Sequence, residues 1–436
     1  MKKISVLLVV LMSPSTGLAQ QQMDTIQWLT ESSFDLQTTN PDLKITGIPF
    51  ERILKNIELV LVGEATHGTK EFAEIKHRLF RYLVEELGFR YFFIEADFAA
   101  GLTVDQYICG EGGDPVEVLK GLRFFHIVNK EGLALIKWMK VYNQTEIPAN
   151  KIRFFGIDCQ SSEGAFTRLT RYFQRVDSVF YKQMYEIKLK NRRSPGRALG
   201  LGRRYDLLTL SMDTISILKN RLIDNEAVYK NASSDMEYKI ALRLTEALVQ
   251  SSQIIEGNYD YKIREESMAA NVAWALSEIG SQPKKAFLWA HNDHVMYNEL
   301  TEGNTGRTTS TLGRLLKNKL HENVYSIGVE FNHGSFIANE VKLDTIVKRV
   351  WTVNEAPENT FPFLLSRTHL KVLFMDFHSI QNQNMATWLR HGLVRGHSIA
   401  ALYFPDYRFR PIRLTDQFDG LIFINETHEI TLDLND

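Results

Sequence analysis

Cysteine is nearly absent from this chain of 436 residues, which contains only Cys109 and Cys159. Two cysteines cannot form the kind of disulfide scaffold that holds small secreted domains together. Whether these two are bridged stays open, because a sequence does not place their Cα atoms within bridging distance. The fold must therefore rest on a hydrophobic core, and 44% hydrophobic residues supply enough apolar material for a large one.

An excess of charge of either sign is also missing. The 51 lysines and arginines balance 52 aspartates and glutamates. The chain therefore lacks the positive field with which proteins bind nucleic acids, and no nucleic-acid partner is expected. Prolines and glycines number only 11 and 26, so no long linker is expected either.

Several well-known catalytic motifs do not occur. The chain has no G-x-S-x-G turn for a serine nucleophile, no G-x-x-x-x-G-K phosphate loop, and no G-x-G-x-x-G after the first predicted strand. Neither cysteine lies in a recognisable nucleophile setting. Water activated by a histidine, or by a metal ion, is the chemistry that remains.

The first nineteen residues have the pattern of a secretory signal peptide. Lys2 and Lys3 precede an apolar run from Ile4 to Met12, and small residues follow up to Ala19. The run is too short for a permanent membrane span, and no nearby cysteine offers a lipid attachment point. We therefore expect a leader over residues 1–19, a mature chain over 20–436 that is secreted or periplasmic, and no stable membrane anchor. A buried first helix is the alternative, but the polar Gln20 to Gln22 gives it no continuation.

Short apolar runs alternate with helical patterns along most of the chain. The runs predict buried strands at Ile57 to Gly63, Tyr91 to Glu95, Ile152 to Ile157, Ala286 to Ala290, Val324 to Val329, Val372 to Met375 and Leu421 to Ile424. Helical spacing occurs from Phe72 to Leu87 and from Leu133 to Tyr142. This order predicts an α/β fold with a largely parallel central sheet flanked by helices.

The strand pattern disappears between about residues 161 and 258. Helical spacing replaces it, which predicts a helical insertion that covers a site at the end of the sheet. Within it lies a basic, glycine-containing tract from Lys188 to Arg204. Such a tract is typical of a solvated loop. A mobile lid or a patch for an acidic ligand is the alternative.

The first predicted strand ends in a loop that contains Glu64 and His67 between Gly63 and Gly68. The carboxyl end of a buried strand is where an open sheet exposes its ligand crevice. Glu64 can orient His67, and His67 can then take a proton from water. In the alternative interpretation Thr66 caps the next helix and His67 is a bystander, but this leaves Glu64 unexplained.

A second strand end carries His291 and His294 directly after the apolar run from Ala286 to Ala290. Two histidines at this spacing can polarise a carbonyl, donate to an oxyanion or bind a metal. The motif is weak evidence by itself. Its position at a strand end, like that of Glu64 and His67, favours a catalytic role.

Further charged residues follow other predicted strands. They are Glu95, Asp97, Asp158 and Glu330. Acidic groups at several strand ends are typical of the rim of an active site. Arg264 and Arg78 are candidates to bind an anionic group of the substrate, and ordinary helix-surface ion pairs are the alternative for both.

Six segments resemble the erythromycin esterase family. They are Gly63 to Phe72, Leu83 to Phe89, Ile94 to Asp97, Gly156 to Gln160, Arg264 to Asn271 and Ala290 to Val295, and the resemblance extends from about Gln27 to His428. It implies an α/β core with a helical cover and a metal-independent hydrolysis that opens a macrolide lactone. His67 corresponds to the general base of the family and Glu64 to its orienting acid. The resemblance places Glu95, Arg78, Arg264, His291 and His294 around the cleft.

Two positions depart from the pattern expected of macrolide-hydrolysing members. His126 stands where such members often have an aromatic residue, and Asp293 stands where they have glycine. The family also includes members associated with exopolysaccharide gene clusters. The fold and the general base are therefore better supported than the drug as substrate.

These observations predict a secreted hydrolase that cleaves an ester or a macrolide-like lactone without a cofactor. His67 activates water, while His291, His294 or an arginine stabilises the oxyanion. One alternative is a metallohydrolase with Glu64, His67, His291 and His294 as ligands. The other is a non-catalytic periplasmic binding protein for a small molecule.

Overall fold

The computed structural model describes most of the chain. The described residues are 14–190, 197–198, 203–204, 208, 210–257, 260–279, 284–301, 307–342, 345–391 and 394–434. The predicted leader therefore lies largely outside the described residues, and so does most of the basic tract between Lys188 and Arg204. Both interpretations stay predictions.

Helices form the larger part of the described chain. They are α1 (Pro14–Glu31), α2 (Phe50–Leu54), α3 (Lys70–Leu87), α4 (Phe98–Cys109), α5 (Pro115–Lys120), α6 (Lys130–Thr145), α7 (Glu163–Val176), α8 (Ser178–Lys190), α9 (Met212–Asp224), α10 (Glu226–Ala232), α11 (Asp235–Glu256), α12 (Tyr261–Glu278), α13 (Asn292–Val295), α14 (Leu312–Leu320), α15 (Phe361–Ser366), α16 (Gln383–His391) and α17 (Leu414–Gln417). None of the helices in the described ranges is long and apolar enough to cross a membrane.

The strands are β1 (Phe34–Asp35), β2 (Leu59–Val62), β3 (Tyr91–Asp97), β4 (Arg153–Asp158), β5 (Arg197–Ala198), β6 (Arg203–Arg204), β7 (Ala286–Trp289), β8 (Glu299–Thr301), β9 (Thr308–Ser310), β10 (Val324–Lys342), β11 (Thr345–Val353), β12 (Val372–Asp376), β13 (Val394–His397), β14 (Phe409–Ile412) and β15 (Gly420–Thr427). Each of the seven apolar runs noted in the sequence overlaps a strand of the central sheet, and several of these strands extend beyond the run.

The central sheet has the order β1, β12, β15, β10, β2, β7, β3, β4. The neighbours from β15 to β4 all run parallel. Only β12 and β1 at one edge, and β11 beside β10, pair antiparallel. This confirms the predicted α/β fold with a largely parallel sheet flanked by helices. Because parallel strands end at one edge, the carboxyl ends of β2, β3, β4, β7 and β10 come together there.

Helices connect the parallel strands and cover both faces of the sheet. Strand β2 is buried along its whole length, as expected of a strand with no solvated side. Helix α3 buries Phe72, Ile75, Leu79 and Leu83, which recur at helical spacing. It ends where Gly88 adopts a left-handed φ of 75° and donates its N–H to the carbonyl of Leu83. The turn after α3 thus delivers the chain directly to β3.

The predicted helical insertion between residues 161 and 258 corresponds to helices α7 to α11 in the described part of that segment. Their apolar faces form one cluster that includes Leu169, Phe173, Leu218, Leu244 and Leu248. A polar contact joins this cluster to the sheet, since the Cys159 thiol donates to Gln250 at 3.0 Å. Both Cys109 and Cys159 are free thiols, so the structure contains no bridge between them.

His77 on α3 is a buried histidine outside the sheet edge. Its ring packs against Trp138 with 5.4 Å between ring centroids, and Nε2 has no hydrogen-bond partner in the described structure. Burial, together with the nearby Arg81 charge, lowers the pKa of His77 from 6.5 to about 3. The folded protein therefore keeps this ring neutral in mild acid.

Replacement of His77 by Phe is expected to make the protein less sensitive to acid. As the pH falls through 6.5, the unfolded chain protonates His77 while the folded chain does not, so the free energy of unfolding decreases. Removing this imidazole should reduce the loss of stability between pH 7.5 and 4.5 by on the order of 2 kcal/mol. Denaturant unfolding at the two pH values measures the effect, and equal losses in the variant and the wild type would contradict it.

Candidate active site

The carboxyl edge of the sheet gathers most of the predicted site residues. Glu64 follows β2, Glu95 lies in β3, Asp158 ends β4, His291 follows β7 and Glu330 lies in β10. All five are buried. Buried charged groups need partners, and their hydrogen bonds show which of them work together.

Glu64 is the centre of the first group. Its carboxylate accepts hydrogen bonds from His67 Nδ1 at 2.6 Å and from Trp289 Nε1 at 2.6 Å, and it forms an ion pair with the Lys76 ammonium. Lys76 is 0% exposed, and its Nζ lies 4.3 Å from the centre of the Trp289 ring. Burial alone would raise the pKa of Glu64, but Lys76, His67 and His126 lower it to about 2. Glu64 is therefore ionised at neutral pH.

The ionised Glu64 fixes the tautomer of His67. A carboxylate only accepts hydrogen bonds, so Nδ1 of His67 carries the proton, and in the neutral ring Nε2 has the free lone pair. The side chain is 11% exposed and lies 5.3 Å from His291 between ring centroids. The loop is held at Gly68, whose carbonyl accepts from Ile337 N–H at 3.0 Å. A Cβ at position 68 would lie 1.9 Å from the Ile337 carbonyl oxygen, so this close approach requires glycine.

Arg264 joins the acidic groups of β3 and β4. It donates to Glu95 at 2.7 Å and to Asp158 at 2.8 Å. Arg264 therefore points inward to two buried carboxylates, and its role as a substrate contact stays a prediction. Burial opposes ionisation of Glu95, but His294 and Arg264 hold the pKa of this carboxyl well below its usual value. The three side chains form one buried ionic network.

His294 belongs to the same network. Its Nδ1 lies 2.5 Å from Glu265, its Nε2 lies 3.2 Å from Glu95, and its ring stacks on Tyr261. Burial disfavours the charged ring, but Glu265 and Glu95 outweigh it and raise the pKa of His294 to about 10. His294 is therefore an imidazolium at neutral pH and supplies positive charge to the site.

His291 has a different electrostatic state. Its Nε2 donates to the Ile399 carbonyl at 2.5 Å, while Nδ1 accepts from the Asp293 N–H at 3.1 Å. Burial lowers the pKa of His291. The ring is therefore neutral and both of its nitrogens are occupied. His291 therefore links the end of β7 to the segment 394–412. An ion pair between Arg410 and Asp293 links the same two parts of the chain.

The four residues of the metallohydrolase alternative do not form a ligand set. Glu64 is paired with Lys76, and the nitrogens of His291 and His294 already hydrogen-bond to protein groups. Within the described ranges, no group of three or more His, Cys, Asp or Glu side chains is arranged to hold a metal ion.

Two predicted substrate contacts have other partners. Arg78 donates to the main-chain carbonyls of Leu36, Thr38, Leu43 and Lys44 at 2.5 to 2.9 Å, so it holds the segment before α2. These four bonds account for the guanidinium without a substrate, and the role of Arg78 as a substrate contact stays a prediction. Glu330 does lie at the sheet edge, but its carboxylate accepts from His397 Nδ1 at 2.6 Å and from the His397 N–H at 3.1 Å. It therefore anchors the segment 394–412.

Sequence reasoning missed Lys76, Trp289, Glu265 and Tyr261. A usable signal existed for Lys76, because it occupies the inner stripe of α3 together with Phe72, Ile75 and Leu79. A charged residue in an apolar stripe needs a buried partner. No such signal exists in the sequence for Glu265, because an acidic residue next to Arg264 is adequately explained as one partner of a surface ion pair.

The sequence and the fold of this chain both match known proteins. The model of the erythromycin esterase family matches residues 84–427. The chain belongs to the erythromycin esterase family. The matched span begins after Glu64 and His67, so their role rests on the geometry described above.

Two curated relatives of this member of the erythromycin esterase family have names that describe hydrolases. Erythromycin esterase type II of Escherichia coli is 23% identical over 340 residues, which cover 73% of this chain and 80% of that protein. The putative hydrolase YbfO of Bacillus subtilis strain 168 is 21% identical, with 94% of this chain and 93% of the relative covered. Family and relatives together identify a hydrolase of this family.

Solved structures share the fold. A succinoglycan biosynthesis protein superposes with a TM-score of 0.71 at 22% identity, covering 95% of this chain and 99% of the other. A mutant of the erythromycin esterase EreC in its open conformation gives a TM-score of 0.63 at 14% identity, with 88% and 95% covered. These likenesses confirm the erythromycin esterase fold.

Proposed function

We propose that this protein hydrolyses a carboxylic ester or lactone with water activated by His67. The observation that carries the proposal is the pairing of His67 Nδ1 with the ionised Glu64 at 2.6 Å, which leaves Nε2 as a base at the open edge of the sheet. A general base of this kind removes a proton from water as the water attacks a carbonyl carbon.

The proposed reaction adds one water across the C–O bond of the ester. His67 Nε2 takes a proton from water, and the oxygen attacks the carbonyl to give a tetrahedral oxyanion. The same proton then passes from His67 to the departing alkoxide, and an acid and an alcohol result. The positive charges of His294 and Arg264 act on the oxyanion through space, since the nitrogens of His294 are bonded to Glu265 and Glu95 and Arg264 is paired with Glu95 and Asp158. Neutral His291, with both nitrogens occupied, fits a positioning role better.

The arrangement also supports a reaction that needs no metal ion. Lys76, Arg264 and His294 place three positive side chains at the sheet edge, and each contacts a buried carboxylate. Each of these charges is already compensated by its carboxylate partner, so the proposal of a metal-free reaction rests on His67 as the base that activates water.

We expect ester hydrolysis to survive chelation. Incubation with EDTA followed by desalting should leave kcat/KM unchanged within experimental error, and added zinc or manganese should not raise it. Elemental analysis of the purified protein, run in parallel with the assay, checks the metal content. A loss of activity that one equivalent of metal restores would favour a metallohydrolase instead.

The substrate is proposed as a macrolide-like lactone or another small ester, and the protein as secreted or periplasmic. Family membership supports the first statement, since one relative bears the name erythromycin esterase. The leader pattern of residues 1–19 supports the second.

The deciding experiment incubates the purified mature protein with a panel of macrolides and simple esters. Mass spectrometry should show the addition of one water to at least one compound, and the product should not form without enzyme. Calorimetry on the same panel tests the remaining alternative, a non-catalytic binding protein. Tight binding of a compound with no product from any of them would indicate a binding protein and overturn the proposal.

A further inference from the structure

His126 lies beside the proposed general base but has no place in the mechanism above. It stands in the turn between α5 and α6 and is 5% exposed. Its ring centroid is 5.2 Å from that of His67 and 6.2 Å from that of Trp289. Phe124 stacks on it at 5.8 Å. A buried imidazole therefore lies directly next to the proposed general base.

The hydrogen bonds of His126 differ from those of the other histidines in the site. His67 is held by Glu64, His291 by the Ile399 carbonyl, and His294 by Glu265. In contrast, Nε2 of His126 is buried and has no hydrogen-bond partner within the part of the chain that is described. An unpaired buried nitrogen destabilises the folded state. A ligand that supplies the missing partner removes this cost.

The surroundings of His126 restrict what that partner is. Burial lowers the pKa of His126 to about 4, so the ring is neutral at physiological pH. A neutral imidazole offers one donor and one acceptor. An anionic group placed here would meet the carboxylates of Glu64 and Glu95, which are close enough to affect His126. A hydroxyl group carries no charge and both donates and accepts, so it fits this nitrogen in either tautomer.

We propose that His126 is a specificity-determining residue that binds a hydroxyl group of the substrate close to the scissile ester. The preferred substrates are then esters whose alcohol part carries further hydroxyl groups. This inference rests on the proposed ester hydrolysis at His67 and adds the chemical class of the substrate.

The test compares two esters that differ only in hydroxyl groups, glyceryl monobutyrate and n-propyl butyrate. The wild-type enzyme should hydrolyse the first with a kcat/KM at least about tenfold higher, because the second leaves the buried nitrogen unpaired. His126→Phe keeps a ring of similar size without nitrogen, so its preference should fall close to unity. His126→Gln restores an amide that hydrogen-bonds, and it should recover part of the preference.

His77→Phe is the matched control. It removes another buried imidazole with an unpaired Nε2, but one that packs on Trp138 outside the site. Both Phe variants should unfold at the same temperature as the wild type or higher, since each removes an unpaired buried nitrogen. Only His126→Phe should lose the preference for the hydroxylated ester.

The possible outcomes are distinct. An equal preference in the wild type and His126→Phe, with His67→Ala inactive, would overturn the role of His126 and leave the proposed function intact. If neither these two esters nor any compound of the panel were hydrolysed, the proposed function would be overturned, and this inference with it.

Discussion

Replacement of His67 by Ala is expected to lower kcat/KM for ester hydrolysis by about 100-fold or more. The variant keeps Glu64, Lys76 and the cationic groups but has no base that can take the proton from water. The side chain is only 11% exposed and donates to the buried Glu64, so its removal should also lower the unfolding temperature, and the kinetics are compared at a temperature where both proteins are folded. Steady-state kinetics, together with a thermal unfolding curve, measures both effects.

A second histidine with a carboxylate partner provides the matched control. His428 Nδ1 lies 2.8 Å from Glu71, but the His428 side chain is 62% exposed and lies on the surface. His428→Ala should therefore keep the wild-type kcat/KM. If ester hydrolysis were undiminished in His67→Ala, His67 would not be the general base.

Replacement of Lys76 by Met is expected to have the largest effect on stability. It removes the ammonium next to Glu64 and leaves a buried carboxylate with only His67 and Trp289 as partners. Breaking a buried ion pair by removing one partner costs about 3–5 kcal/mol of unfolding free energy. The pKa of Glu64 should rise at the same time, since Lys76 is the largest influence that lowers it, and kcat should fall. Denaturant unfolding and steady-state kinetics measure the two losses.

The double variant Glu64→Gln with Lys76→Met separates stability from catalysis. It removes both charges together, so much of the lost stability should return, while kcat stays low because no carboxylate orients His67. Lys70→Met serves as the control on the same helix. Its ion pair with Glu74 spans 3.7 Å at an exposed surface, and its loss should cost less than about 1 kcal/mol. Equal effects of the Lys70 and Lys76 variants would contradict the role of the buried pair.

The sequence was a good guide to the sheet where burial alone decides the structure. The run Leu59–Val62 is apolar because β2 is covered on both faces, and such runs located each parallel strand. The second half of β10 escaped prediction. Beyond Asn332 it contains a polar stretch and only the short apolar run Phe336 to Ala338, and its partner β11 is antiparallel. Pairing with another segment, rather than local composition, extends this strand.

The site was predictable in part for the same reason. Glu64 and His67 follow a recognisable strand, so their position was visible in the sequence. Arg78 and Arg264, by contrast, are both arginines on helices. The side chain of Arg78 points to main-chain carbonyls, and that of Arg264 points into the ionic network. That direction depends on how each helix packs on the sheet, which no local pattern specifies.

The position of β2 in the middle of the sheet determines when the site can form during synthesis. β2 pairs with β7 and β10, and Glu64 contacts Trp289, which lies 225 residues further along the chain. A nascent chain that ends before β7 already contains Glu64 and His67, but it lacks both neighbours of their strand and the indole that binds the carboxylate. We therefore expect the pair to take its final arrangement only after β7 and β10 have been synthesised, and a fragment that ends before β7 to lack the proposed activity.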